Sequence, residues 1–243
     1  MKKYTLTLIL ALASLGLYAQ TNRNKTIINA ALHGWEYEIK AGVNLGGTAP
    51  LPFPEEIRSI DGYNPTLSIT IEGNMTKWLD TKKKWGIITG LRLENKGMRT
   101  KATVKNYNME IIGYDGNRLK GNWTGGVRTK VQNSYITIPV LAAYKLSPRT
   151  TLKLGPYFSY LMDGDFSGHV YEGYLRETNP TGDKINFTNG AIATYDFSGD
   201  LRKFQWGVQA GVDWKAFKHL KVHADLNWGL NDIFNKDFKT VTF

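Results

Sequence analysis

Residues Trp35–Leu45, WEYEIKAGVNL, alternate with a period of two. Trp35, Tyr37, Ile39, Ala41, Val43 and Leu45 form an apolar face. Glu36, Glu38, Lys40, Gly42 and Asn44 form the opposite one. Such alternation predicts a β-strand whose two faces meet different surroundings. Six later segments repeat it. Leu67–Thr76 sets Leu67, Ile69, Ile71 and Met75 against Ser68, Thr70, Glu72, Asn74 and Thr76. A third strand starts at Trp85, with Ile87, Thr89, Leu91 and Leu93 opposing Ile88, Arg92, Glu94 and Lys96. Ser134–Leu146 turns Ile136, Ile138, Val140, Ala142 and Tyr144 to the apolar side, and Thr151–Leu161 does the same with Leu152, Leu154, Pro156, Phe158 and Tyr160. Phe204–Lys215 and Leu220–Asn231 complete the set. Pro139 sits inside a strand and lacks a ladder donor, which predicts a bulge or kink there.

The connections alternate in length. Gly46–Pro65, Gly97–Asn133 and Asp163–Arg202 are long; the turns after Trp78, Leu146 and Lys215 are short. Gly97–Asn133 reads as irregular, or as an extension of the third strand that returns as a hairpin. Strict long–short alternation belongs to up-and-down transmembrane barrels, which have short turns at one end and long loops at the other. Aromatic residues gather at the strand ends: Trp35, Tyr37, Trp78, Trp85, Tyr144, Trp214 and Phe217 near the short turns, and Tyr135, Tyr160, Phe204, Trp206 and Trp228 near the long loops. Two such rings predict aromatic girdles at two membrane interfaces. About 11 residues per strand, tilted by ~40°, project to roughly 28 Å, close to the apolar thickness of an outer membrane. The predicted fold is all-β: an antiparallel transmembrane barrel of the eight-stranded type, with seven clear strands.

The chain begins MKKYTLTLILALASLGLYAQ. Two lysines, a short apolar run and a small-residue exit predict a secretory signal peptide over 1–19, removed before Gln20. The apolar run is too short to span a bilayer as a helix. Residues 20–34 then form a periplasmic lead-in with the apolar patch Ile27–Leu32, and 35–243 the barrel domain. Without Lys2 and Lys3, 29 basic residues face 21 acidic ones, so the formal charge falls from +10 to +8. The chain has no cysteine, which excludes disulfides, lipid attachment through a thiol and thiolate chemistry. The predicted location is the outer membrane.

Seven strands leave an odd count, whereas single-chain bacterial barrels use an even one. The only remaining candidate, Lys239–Phe243, is short. Either a final strand of about ten residues lies beyond the sequence given or the barrel closes imperfectly; an open edge in hydrocarbon leaves unpaired backbone groups, so the first is expected.

Five segments carry a family resemblance: Ile39–Leu45 (IKAGVNL), Ser134–Tyr144 (SYITIPVLAAY), Leu154–Leu161 (LGPYFSYL), Trp206–Asp213 (WGVQAGVD) and Leu226–Leu230 (LNWGL). In this order they resemble the PorT-like outer-membrane β-barrel proteins of Bacteroidetes. The resemblance spans most of 35–232 and consists of strand patterns, not catalytic motifs. It implies the barrel fold and a last strand ending in an aromatic residue. The name-giving member's role in protein secretion is not carried over.

The face opposite the apolar one holds Glu36, Glu38, Lys40, Glu72, Arg92, Glu94, Lys153, Asp213, Lys215, Lys221, His223 and Asp225. Mixed charges inside a narrow barrel predict a paired network that fills the interior; the sharper alternative is an ion path or ligand cavity. His223 and Asp225, two residues apart on one face, could be part of a hydrolytic triad, but no serine stands out as a nucleophile. His33, His169 and His219 are scattered and have no metal-ligand spacing. Gly46-Gly47 and Gly125-Gly126 lack the strand–helix context of phosphate loops. No catalytic, cofactor or metal residue is assigned. The second long loop is basic (Lys96, Arg99, Lys101, Lys105, Arg118, Lys120, Arg128, Lys130), which predicts lipopolysaccharide phosphates or acidic glycans as neighbours. The third holds Asp165, Glu172, Glu177, Asp183, Asp196 and Asp200, so pairing between the two loops is equally expected. Tyr107, Tyr114 and Trp123 interleave the basic residues, but an outer-surface location argues against nucleic acid. The expected function is a monomeric, non-enzymatic barrel presenting surface loops. The alternatives are a subunit of an envelope or secretion complex, and a membrane hydrolase or acyltransferase.

Overall fold

The structure is a computed structural model that describes residues 35–47, 55–80, 82–114 and 116–235. The signal-peptide and lead-in segments and the terminal candidate strand Lys239–Phe243 lie outside the described residues. Among the described residues nine strands form one antiparallel sheet: β1 (Trp35–Asn44), β2 (Ile57–Thr66), β3 (Ser68–Trp78), β4 (Trp85–Ile112), β5 (Arg118–Lys145), β6 (Thr150–Glu177), β7 (Lys184–Asp196), β8 (Phe204–Lys215) and β9 (Lys221–Gly229). Seven of them follow one another in the order β1-β3-β4-β5-β6-β8-β9. These are the seven strands expected from the alternation. The end strands β1 and β9 meet through side chains, with Lys221 Nζ donating to Glu38 Oε2 at 2.8 Å.

The lower part of this sheet is inside-out relative to a soluble protein. In β1, Ile39 is 87% exposed while its neighbour Lys40 is 5% exposed. Ile69, Ile71, Leu91, Leu93, Leu154, Phe158, Val208 and Leu226 also face outward, and Glu72, Arg92, Glu94, Thr137, Lys153, Gln209 and Asp213 face inward. The outward and inward assignments read from periodicity hold for these strands. Two girdle residues do not. Trp78 and Tyr135 are buried. They point inward because each falls on the polar parity of its strand, beside Thr76 and Thr137 respectively.

The three central strands are 28 residues each, about 90 Å along the chain. Crossing the apolar band takes about 11 residues, so the rest rises above it as a cap. Here β2 pairs with the upper half of β4, and β7 with the upper half of β6. A single pair, Ile112–Thr194, joins β7 back to β4. The cap has an ordinary apolar interior: Val104, Met109, Ile111, Trp123, Val170, Leu175, Phe187 and Tyr195 form one buried cluster.

Four expectations are corrected here. The loop Gly46–Pro65 contains β2, which tolerates Pro65 because its second edge needs no ladder donor. The polar stretch Asp163–Arg202 contains the upper half of β6, then β7 and a 3₁₀ turn, Ser198–Asp200. The irregular reading of Gly97–Asn133 gives way to its alternative, a hairpin extension of β4 and β5. Pro139 causes no bulge, since the β5–β6 register runs unshifted through Pro139–Tyr157 to Ala142–Leu154.

The bulges lie higher. Register shifts fall between Val104 and Tyr107 in β4, and in β6 at Glu172, opposite Gly125/Gly126, and at Met162, opposite Ser134/Tyr135. The first two lie at one level, since Val104 pairs with Gly125 and Gly125 with Gly173. Each inserted residue switches which parity faces inward. Asn106 takes the left-handed conformation (φ 61°) in the β4 bulge, and its N–H donates to Thr124 Oγ1 at 3.0 Å. A Cβ on Gly125 would lie 2.7 Å from Gly173 Cα, so the strands can approach only as glycines.

At the opposite end, the Asp80 carboxylate accepts backbone N–H groups of Lys84 at 2.7 Å and Trp85 at 2.8 Å. These bonds, Trp85's above all, hold its pKa below the ordinary 3.8. A lowered carboxylate pKa adds stability that is present at neutral pH and is lost as pH falls through the folded value. The advantage of the wild type over Asp80→Ala in a urea unfolding midpoint is therefore expected at pH 7 and should shrink as pH falls below the ordinary carboxylate range.

Trp123→Ala should cost the cap about 3–5 kcal/mol. The expected result is new tryptic cleavage within 97–133 while the barrel's heat-dependent gel shift persists.

Candidate functional site

Two features could carry function: the charged interior of the lower sheet and the outer face of the cap.

Inside, alternation places one charged or polar side chain at every second residue, and the antiparallel register brings them level. Lys96 Nζ lies 3.1 Å from Glu94 Oε1. Glu94 Oε2 lies 3.6 Å from Arg92 Nε, and Arg92 reaches Glu72 Oε2 at 3.3 Å. Glu72 Oε1 is 3.9 Å from Lys40 Nζ, which is 3.4 Å from Asp213 Oδ1. Lys153 Nζ then bridges Asp213 at 2.7 Å and Asp225 at 2.8 Å. The sequence of charges is Lys96, Glu94, Arg92, Glu72, Lys40, Asp213, Lys153, Asp225: four of each sign, strictly alternating. Neutral groups complete it. Arg92 donates to Gln209 Oε1 at 2.9 Å, Asn74 donates to Glu72, and Thr137 donates to Glu94 at 2.8 Å. The Ser159 hydroxyl lies 2.7 Å from that of Thr137.

Apolar clusters flank this chain at both ends. Trp78, Ile88, Leu141 and Ala143 pack together on the short-turn side. Above, Lys96 lies over the rings of Tyr135 and Tyr157, at 5.2 and 5.5 Å. Tyr135, Leu161 and Leu201 then form a buried cluster with Phe166, Ile233 and Phe234 against it.

Most residues predicted for the inner face do meet. Glu36 pairs with Lys83 at 3.0 Å and Glu38 with Lys221, both near the short-turn mouth. Lys215 does not join them; it is exposed where β8 ends. His223 and Asp225 do not form a catalytic pair: Asp225 faces Lys153, and a Cβ on Gly42 would lie 3.2 Å from His223 Nε2. The histidine fills the space that the glycine leaves between β1 and β9. Sequence reasoning passes over Thr137 and Ser159. Their signal was present, because both occupy inward parity within strands already recognised. Among the described residues no group of His, Asp and Glu could hold a metal ion.

On the cap, one ion pair among the described residues joins the basic and acidic loops, Lys130 to Asp165 at 3.1 Å. Arg118 pairs within its own hairpin, with Glu110 at 2.8 Å. Asp61 accepts from Ser59 at 2.6 Å and Thr103 at 2.8 Å, which keeps its carboxyl below the usual range.

Residues 18–235 match the outer membrane protein beta-barrel domain. The chain belongs to this family. No curated protein and no solved structure matches it significantly. The exposed apolar band of this outer-membrane barrel therefore meets lipid, and the alternating charges are the contents of its lumen. That solvent explains the inverted exposure of the lower strands, since hydrocarbon takes Ile39 and Leu226 as a protein core would.

Lys153 bridges two lumenal carboxylates at 2.7 and 2.8 Å. Lys153→Met leaves Asp213 and Asp225 without it, at an expected cost of about 3–5 kcal/mol. Adding Asp213→Asn restores charge balance, and a large part of the loss should return in the urea midpoint. Equal midpoints for the single and double variants would show that charge balance is not what the lumen requires.

Proposed function

We propose that this protein is a monomeric, non-enzymatic and non-conducting outer-membrane barrel that holds a stiff β-cap above the bilayer. The cap meets lipopolysaccharide, ligands or partner proteins. The observation that carries the reading is the continuous chain of alternating charges between two apolar clusters. Water or an ion moving through would have to break pairs buried in a low-dielectric interior, where separation is costly. Function then resides outside, where the three longest strands continue as the cap. The family's members are typically non-enzymatic, and the Lys153 contact of Asp225 speaks for a structural role of the residue nearest to a catalytic pattern. Assignment to the PorT-like branch, an origin in Bacteroidetes and cleavage of the signal peptide before Gln20 belong to this reading.

Purified protein in planar lipid bilayers should give no resolved conductance steps. Persistent open-channel steps would overturn the reading. Stable co-purification of a second envelope protein at fixed stoichiometry would replace it with the complex-subunit alternative.

A further inference from the structure

The outer face of the cap carries an arrangement of cations that the fold itself does not explain. Lys101 of β4 stands directly opposite Arg128 of β5, and Arg128 opposite His169 of β6. One row lower, Arg99 stands opposite Lys130. Arg99, Lys101, Arg128 and Lys130 are all exposed. Like charges facing each other across an antiparallel pair destabilise a sheet. Stability of the free protein is therefore not a reason to place them there.

Local carboxylates compensate only part of this charge. Asp165 pairs with Lys130. Asp61 sits beside Lys101 but is engaged by two hydroxyls. On β7, the Asp196 carboxylate accepts the Ser198 N–H at 2.9 Å. Arg99 and Arg128 form no ion pair among the described residues. Lys101 and Arg128 instead share the face of Tyr171, at 5.7 and 5.6 Å from its centroid. The ring holds both cations extended over the sheet surface without neutralising either. His169 beside them has a lowered pKa, from burial first and from Arg128 second, in keeping with a positive field left open.

Height selects the partner. Tyr160 marks the outer aromatic level and pairs with Ile136. Lys130 is six residues further along β5, and Arg128 eight, which places the rows roughly 15–20 Å above that level for a strand tilted by ~40°. Lipid acyl chains end below this height. The layer beside it consists of the sugars of the outer leaflet, whose inner part carries phosphates and carboxylates.

We propose that Arg99, Lys101, Arg128 and Lys130, with Tyr171 as their platform, bind the phosphorylated core oligosaccharide of lipopolysaccharide flanking the barrel. The proposal rests on the outer-membrane reading and adds the site and the chemical group it takes. Guanidinium pairs match phosphate oxygens in a bidentate manner, and a rigid sheet presents them at fixed spacing. Bound phosphate also relieves the like-charge repulsion, so ligand and fold become coupled.

The test uses the full chain folded in detergent micelles and three probes: lipopolysaccharide with its phosphorylated core, lipid A without the core, and an oligothymidylate. Core-bearing lipopolysaccharide should bind at least about tenfold more tightly than lipid A, and Arg99→Gln/Arg128→Gln should weaken it about tenfold or more. Arg118→Gln/Lys120→Gln, at the hairpin tip, should leave it within about twofold. Without lipopolysaccharide the thermal midpoint of the Arg99/Arg128 variant should be unchanged or higher, which a merely structural role for these arginines would not produce. If that variant loses the heat-dependent gel shift, Lys101→Thr alone replaces it, since threonine suits an exposed strand. Unchanged binding by folded variants, equal binding of lipid A, or equal competition by the oligothymidylate would each overturn the proposal. Protein that is folded and fractionates with outer membranes yet shows these results leaves the outer-membrane reading standing. Protein that neither shifts on heating nor fractionates there overturns both.

Discussion

The lower half of the structure depends on one constraint: every charge inside the barrel has a neighbour of opposite sign. Arg92 cannot stand in that interior without Glu72 and Glu94, nor Lys153 without Asp213 and Asp225. An isolated buried charge costs several kcal/mol, and a paired one recovers that only with good geometry and extra hydrogen bonds. The register therefore cannot slip. A shift of one residue would turn Ile39 and Leu91 inward and put Lys40 and Arg92 into lipid. Lipid holds the apolar face and the charge chain holds the polar one, and both enforce the same alignment.

The cap obeys the opposite rule, and the same strands serve both. Below the bulges, β4 turns Arg92 and Glu94 inward; above them it turns Met109 and Ile111 inward. The surroundings outside change from lipid to water, so the interior changes from polar to apolar. The bulge line at Asn106 and Glu172 adjusts the parity of β4 and β6 at the level of Gly125, while β5 between them keeps its odd positions inward. It also bends them, since a bulge increases local twist. Phe234 links the two regions, packing edge-on against Phe166 at 4.8 Å.

This explains which parts were legible in the sequence. Each membrane strand keeps one parity for about ten residues against a uniform solvent, so WEYEIKAGVNL or FQWGVQAGVDWK announces itself. The inner charges followed directly, because parity alone assigned Lys40, Glu72, Arg92 and Asp213. The cap was legible only as a possible extension of β4 and β5, for three reasons. One-residue insertions such as Asn106 break the alternation midway through a strand. β2 is an edge strand that carries glycine and proline, so it reads as a loop. The row Lys101–Arg128–His169 joins three strands, and only the register makes it visible. Pro139 misled in the other direction: proline suggested a bulge, but the strands keep their register across it.

A stiff cap has a consequence for recognition. Basic side chains on a disordered loop would lose conformational entropy on binding and would suit any polyanion. Here the cations stand on strands whose far side is the packed cluster around Trp123, and Tyr171 restrains two of them. Their spacing is set before any ligand arrives, and their mutual repulsion is already present in the free protein. Both features lower the cost of binding a doubly anionic group and neither helps the protein alone. The apolar core of the cap and its charged outer face are thus parts of one design: the first gives rigidity, and the second uses it.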